Sequence, residues 1–358
     1  MSKPRHAIGI MTGTSIDALD AALVRAVGHG TDMRVELVRT VSTPLGELAP
    51  GLRELATGRP KDAREISRLA LAFGELHADA VLELAEGELA ELELICAHGQ
   101  TVFHAPPASW QLLNPHPIAA RTGVPVVWDL RQADLALGGH GAPITPIADR
   151  VLFADLTEPW AIVNLGGFCN ITTFKDGTLE GGDLCACNQL LDELARELLN
   201  RNFDDHGEAA SRGWAQSELE SDLTHRLEDQ AAAGRSLGTG DELVEWARNA
   251  RDLDHSREDV LASACAAIAS VIAAHVRAAE TVVLAGGGVR NAALVAAITE
   301  RIAGRATTSD QLGIPVEHRE SMAMAVLGLL CADRVPITLQ NVTGRADIPI
   351  VSGAWVLP

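Results

Sequence analysis

Apolar side chains recur along this chain with two periods, and the switches between them mark out its elements. An apolar run ending at Ile10 and Met11 predicts a buried strand. It breaks at Thr12, Gly13, Thr14 and Ser15 and resumes with Asp17 and Asp20 set among aliphatics. Residues 35–43 alternate well enough for a strand that continues a meander. From 62 to 86 the apolar positions Ile66, Leu69, Phe73, Leu76, Ala80 and Leu84 shift to helical spacing and predict a long amphipathic helix. Residues 92–96 predict the next strand, with Ala97-His98-Gly99-Gln100-Thr101 as its exit loop. The β-rich run 123–128 leads into Asp129-Leu130-Arg131, and the glycines and prolines around 138–146 suggest a domain junction.

The opening pattern then returns. Residues 160–165 predict a strand, Gly166-Gly167 a turn, and 171–174 a returning strand, with 178–182 leading to Asp183. A strand, a glycine-centred turn and a returning strand thus occur once in each half, which suggests two related domains. Leu190, Leu191, Leu194 and Leu198 line one face of a helix, and residues 204–256 are polar, with only short helical pieces. Residues 258–279 predict an Ala-rich helix and 281–285 a strand entering Gly286-Gly287-Gly288, after which Asn291 opens another helix. Residues 322–330 form a last helix, and 335–358 an irregular tail that returns to the first domain.

Composition narrows the classes. The 358 residues are 47% hydrophobic and 22% charged, enough for two folded domains. A formal charge of −19 disfavours nucleic acid and anionic lipid as bulk partners. The six cysteines have neither disulfide-like nor zinc-like spacing and read as reduced thiols. The long uncharged run 260–276 is short for a bilayer and reads as a buried helix; no leader is visible, so the expectation is a cytoplasmic protein without membrane contact.

Three turns carry candidate chemistry. The Thr12–Ser15 turn offers N–H groups and hydroxyls to an anion, and Asp17 stands where a carboxylate could orient a phosphate-bound Mg²⁺; a plain polar hairpin is the alternative. No Lys follows a glycine here, so the turn is not a Walker P-loop. His98-Gly99-Gln100-Thr101 lies at a strand end, where open α/β folds place ligand contacts, although His98 could simply bond backbone. Arg131 could pair with Asp129 or Asp134, or anchor an anionic or polyhydroxylated ligand. The glycines at 286–288 allow close backbone approach of a ligand, or make a tight turn without one.

The ordered set is more specific than any member. It comprises residues 9–17, 98–101, Asp129-Leu130-Arg131 with Asp134 and residues 138–143, Asn164 through Asn170, Asp183 with Asn188 and Asp192, and Gly286–Gly288 with Asn291. Gly313-Ile314-Pro315, Glu320 and residues 341–344 complete it. In this order the pieces resemble the anhydro-N-acetylmuramic acid kinase family, a branch of the actin/hexokinase-like ATPase superfamily. The resemblance implies an α/β fold of two actin-like (ribonuclease H-like) domains around a central cleft, 1–145 plus about 330–358 and 146–329. It implies a homodimer that binds ATP, Mg²⁺ and a sugar, in which water opens a 1,6-anhydro bridge while O6 takes the phosphoryl group. Asp183 would be the general base, with Arg131 and Glu320 beside it as catalytic residues. Gly13, Thr14, Ser15, Asp17, Asn164, Gly166, Gly167, Gly286, Gly287, Gly288 and Asn291 would hold the nucleotide, Asp17 also the metal. His98, Gln100, Thr101 and Asp134 would hold the sugar.

The chain also departs from the family pattern. Ala18 follows Asp17 where Gly is usual, Leu113 replaces a glycine, and His140 replaces Gln. Cys185-Ala186-Cys187 stands in place of Gly-Pro-Gly, and residues 234–242 retain little of a Lys-Ser-Thr-Gly-Arg-Glu segment. A filled pocket and a lost basic grip predict poor use of the muramic sugar, so a kinase of a smaller anhydrosugar and a non-catalytic binding descendant stand beside the family activity.

Overall fold

In the computed structural model, which describes residues 3–13, 16–238 and 240–358, the chain divides into two compact units. The first carries β1 (Arg5–Thr12), β2 (Ala18–Val27), β3 (Arg34–Pro44), α1 (Leu48–Ala56), α2 (Ala63–Ala85), β4 (Leu92–Ala97), β5 (Gln100–Ala105), β6 (Ala108–Leu112), α3 (His116–Thr122), β7 (Val126–Trp128), α4 (Gln132–Ala136) and α5 (Pro146–Leu152). The second carries β8 (Trp160–Leu165), β9 (Phe168–Lys175), β10 (Thr178–Ala186), α6 (Asn188–Leu199), α7 (Ser217–Ala232), α8 (Val244–Asn249), α9 (Arg257–His275), β11 (Thr281–Ala285), α10 (Ala292–Arg301) and β12 (Arg305–Thr308). The chain then rejoins the first unit with α11 (Arg319–Ala332), α12 (Gln340–Thr343) and β13 (Ala354–Val356).

The two sheets share one plan. In the first, β3, β2 and β1 form an antiparallel meander, and β4 and β7 continue it parallel to β1. In the second, β10, β9 and β8 repeat the meander, and β11 and β12 continue it parallel to β8. This third–second–first–fourth–fifth order, present twice, is the ribonuclease H-like plan of actin-like domains. The repeat read faintly in the sequence is therefore a repeat of topology. Strand β13 adds an antiparallel edge beside β7, within the tail expected to be irregular.

Local chemistry explains the long helices. Asp62 and Glu65 close a reciprocal capping box at the start of α2, and Ser256 caps α9 through the Asp259 N–H. Helix α9, apolar all round, lies in the core of the second unit with Val260, Leu261, Ala264, Ile268 and Ile272 buried. Helix α7 escaped the sequence reading because it buries only Leu223 and Leu227, a narrow stripe on a polar helix.

The unit boundary differs from the expected one at both crossings, for the first unit runs to Asp155 and resumes at Glu317. The reason is α11, whose residues are buried almost throughout, against β1 and β4. A Cβ on Gly9 would strike the backbone of Ser321 and Ala325, and one on Gly328 would come 2.7 Å from Cys96 Cβ. Arg319 at the start of α11 donates from Nε to Asp149 Oδ1 on α5 at 2.9 Å and from Nη2 to Oδ2, with both residues fully buried. Removing one member strands the other charge, so Asp149→Ala is expected to lower unfolding free energy by about 3–5 kcal/mol. Urea denaturation checks this, and a loss below about 1 kcal/mol would show the pair to be dispensable.

Candidate active site

In the first unit the predicted residues gather at the ends of β1, β2 and β4. The β1–β2 turn is closed by an Ile16 N–H donated to the Gly13 carbonyl at 3.2 Å; Thr14 and Ser15 lie outside the described residues. Asp17 opens to solvent beyond the turn and is held by Arg53 Nη2 at 2.6 Å, a nitrogen that also donates to the Ile16 carbonyl.

His98 is buried. Its Nε2 accepts from Arg131 Nε–H at 3.1 Å, so the ring is neutral, and Arg131 Nη1 donates to the Gly141 carbonyl at 2.8 Å. Burial, reinforced by the Arg131 charge, pushes His98 down to about 3. His77, wholly buried on α2 and donating from Nδ1 to the Phe73 carbonyl, is pushed down by burial to about 4. Gln100, also buried, donates to the Thr101 carbonyl at 3.3 Å, while its Oε1 has no hydrogen-bond partner among the described residues. Gln111, on the β5–β6 hairpin that the sequence reading missed, shares this condition at Oε1 and donates from Nε2 to Ser109 Oγ at 2.8 Å. Buried acceptors without donors are costly, and they mark a surface suited to ligand hydroxyl or amide groups.

Asp134 has a different station. It is fully buried, accepts from the Gly141 N–H and the Thr343 hydroxyl at 2.7 Å each, and lies 3.8 Å from Arg345 Nε. A Cβ on Gly139 would overlap its carboxylate. Asp134 therefore shapes the 138–141 loop that supplies the Arg131 acceptor, and its carboxylate is closed off from solvent. Glu320, in the first turn of α11, is raised above the usual carboxylate range by burial; Arg319 and Arg131 oppose that, and Asp149 and Asp20 add to it.

In the second unit the Gly166 and Gly167 carbonyls accept the Cys187, Asn188 and Gln189 N–H groups at 3.0–3.1 Å, seating the β8–β9 turn on the start of α6. Asn188 Nδ2 also donates to the Leu165 carbonyl at 2.9 Å. The three glycines after β11 differ in station. Gly286 sits at φ +82°, where L side chains are strained, and a Cβ on Gly288 would come 2.6 Å from Leu165 Cβ. Beside Gly287 there is open space. Asn291 is the N-cap of α10, its side chain accepting from the Leu294 N–H at 3.0 Å. Asp183 lies at the irregularity in the β9–β10 ladder, and its Oδ2 accepts the Leu237 N–H at 2.9 Å. The segment after α7 thus reaches the predicted base, a contact whose only sequence signal was the glycine spacing at 234, 238 and 240.

Residues 5–356 match the family model for anhydro-N-acetylmuramic acid kinase. The chain belongs to this family. It is 33% identical to the anhydro-N-acetylmuramic acid kinase of Salinibacter ruber, covering 96% of this chain and 94% of that one. It is 34% identical to the Vibrio parahaemolyticus enzyme of the same name, covering 95% of each. Among solved structures it overlays on component A of the Acidaminococcus fermentans (R)-2-hydroxyglutaryl-CoA dehydratase with a TM-score of 0.47 and 14% identity, covering 90% of this chain and 96% of that one.

Two departures from the family pattern move in meaning. Leu113 packs in the core of the first unit with Phe73, Leu112 and Ile118, and Cys185, Ala186 and Cys187 are buried in the core of the second. They change packing, and the expectation that they fill a sugar pocket does not follow from where they lie. All six cysteines are buried free thiols, and burial raises Cys187, Cys265 and Cys331.

Two predictions follow from these stations. Gly288→Ala should cost about 1–3 kcal/mol by forcing Leu165 to move, whereas Gly287→Ala should stay within about 1 kcal/mol; equal losses in thermal melts would contradict the packing argument. His77 and His98 titrate near 6.5 when unfolded but near 4 and 3 in the fold. Below pH 6.5 the unfolded chain binds the extra protons, so stability is full above that pH and falls with acidification. From pH 8 to 5 the loss should be roughly 2 kcal/mol per histidine, shallower in His77→Gln, and a flat urea midpoint over that range would refute it.

Proposed function

We propose that this protein is an ATP-dependent kinase of 1,6-anhydro-N-acetylmuramic acid that yields N-acetylmuramic acid 6-phosphate in cell-wall recycling. The observation that carries the reading is the family match over residues 5–356, in which Asp183, Arg131 and Glu320 are all present. Asp183 would take a proton from water as the water oxygen bonds to the anomeric carbon. The bond from that carbon to O6 breaks, O6 bonds to the γ-phosphorus, and ADP leaves. The hydrogen bond from Leu237 N–H to Asp183 Oδ2 helps orient the carboxylate that would act as this base.

Arg131, fixed by His98 and the Gly141 carbonyl, would hold its positive charge toward developing negative charge. Glu320, raised by burial, suits proton exchange with a hydroxyl. The orphaned Oε1 atoms of Gln100 and Gln111 support a hydroxyl- or amide-bearing ligand, with Thr101 alongside. The open face of Gly287 supports close approach of the adenosine, with Gly166 and Gly167 assigned to the phosphates.

Asp17 is the one assigned carboxylate that suits Mg²⁺. Among the described residues no three His, Cys, Asp or Glu side chains gather as a metal site. An exposed carboxylate held by Arg53 fits an ion that keeps its waters and its phosphate ligands. When bound, the ion would neutralise phosphate charge. A homodimer in the cytoplasm, free of nucleic acid and membrane, completes the reading; the charge of −19 supports the exclusion of nucleic acid.

The deciding experiment is ADP release from MgATP across a panel: the anhydro-muramic sugar, the same sugar without its lactyl group, levoglucosan and ordinary hexoses. Efficient turnover of the muramic sugar is expected, and preference for levoglucosan or the lactyl-free sugar would favour the smaller-anhydrosugar reading. Asp183→Asn should keep nucleotide binding while turnover falls ~10²–10⁴-fold. Near-normal turnover in that variant would move the base elsewhere, and no sugar-dependent ADP release by the wild type would favour the non-catalytic reading.

A further inference from the structure

We infer that Gln230 is a positioning residue for Asp183, acting through the segment that follows α7. The inference rests on the base role proposed above. Asp183 Oδ2 accepts the Leu237 N–H, and the described residues around Leu237 belong to no helix or strand, so its placement depends on what holds that stretch. Gln230, near the end of α7, ties that stretch to β10. Its Oε1 accepts the Ala186 N–H at 2.8 Å, three residues beyond Asp183 on β10. Its Nε2 donates to the Asp241 carbonyl at 2.6 Å, on the far side of Leu237.

Asp241 then folds the segment back on itself. Its carboxylate accepts the Gly238 N–H at 2.9 Å, the residue next to Leu237, and takes both Arg235 Nη groups at 2.7 and 2.9 Å. That pairing, together with the Gly238 N–H, holds the Asp241 carboxyl below its usual range. One amide therefore joins the strand of the base to the far end of the segment, and the carboxylate fixes the near end.

A side chain that sets where the Leu237 N–H points helps set the orientation of the Asp183 carboxylate. This has a consequence a merely packing residue would not have. Removing Gln230 should harm turnover chiefly through Asp183, because displacement of a catalytic group by about an ångström is enough to cost rate.

The test is a double-mutant cycle on the full-length protein, read by sugar-dependent ADP release and by thermal melting with and without MgATP. Gln230→Ala is expected to lower kcat about 10–100-fold with KM for MgATP within about twofold of wild type. In the Asp183→Asn background the same change should alter the residual rate by less than about twofold, because the group it positions is no longer a base. Asp241→Ala, which frees the Leu237–Gly238 turn, should behave alike and serves if Gln230→Ala fails to fold. Unchanged kcat in both variants, or an equal loss with and without the Asp183 carboxylate, overturns the inference and leaves the kinase reading standing. A wild type without sugar-dependent turnover overturns both.

Discussion

The fully buried Asp149–Arg319 pair is the constraint on which the organisation of this chain turns. Two charges without water are tolerable only as partners with well-formed hydrogen bonds, so α5 and α11 must be brought together although 166 residues separate Leu152 from Arg319 in sequence. The second unit is thereby an excursion between two segments of the first. Gly9 and Gly328 let α11 lie flat on β1 and β4, and the same seating sets Glu320 into a desolvated position in the next residue along. A packing requirement and a catalytic candidate thus share one turn of helix.

The candidate site is built mainly from backbone groups that side chains aim. Asp134 meets no solvent, yet it fixes the loop whose Gly141 carbonyl steadies Arg131. Asn188 and Asn291 cap or brace the glycine turns of the second unit. Gly286 and Gly288 are glycines because of Leu165 and the backbone conformation, which leaves Gly287 as the member facing open space. Mechanistic weight therefore falls on fewer residues than the motifs contain. The others supply preorganisation, which matters because a donor already aimed costs nothing to reorganise during reaction.

Family membership and local geometry bear on different questions. The full-length match establishes descent, and the structure explains how the sequence could drift at 113 and 185–187 within it. Glycine or proline replaced by leucine or cysteine inside a core is a change of volume absorbed by neighbouring aliphatics. In the segment 234–242 the contact to Asp183 comes from a backbone N–H, and backbone donors survive substitution as side-chain donors do not.

Periodicity in the sequence was enough for the strands at 5–12, 92–97, 160–165 and 281–285 and for the helix at 63–85, because a buried face imposes its spacing on the residues themselves. The glycine turn at 286–288 was legible for a related reason: close approach tolerates few residue types. Short or edge elements such as β5, β6, β12 and β13 left no such imprint, since a strand of a few half-exposed residues constrains little. Tertiary structure alone decided which polar residues are engaged by distant parts of the protein. Asp134 and Asn291, expected from the sequence as ligand contacts, make bracing hydrogen bonds within the protein, while Leu237 carries no motif yet bonds Asp183. A hydrogen bond depends on where two groups meet in space, and residues 54 and 209 positions apart, as in Leu237 with Asp183 and Thr343 with Asp134, leave no local pattern from which that meeting could be read.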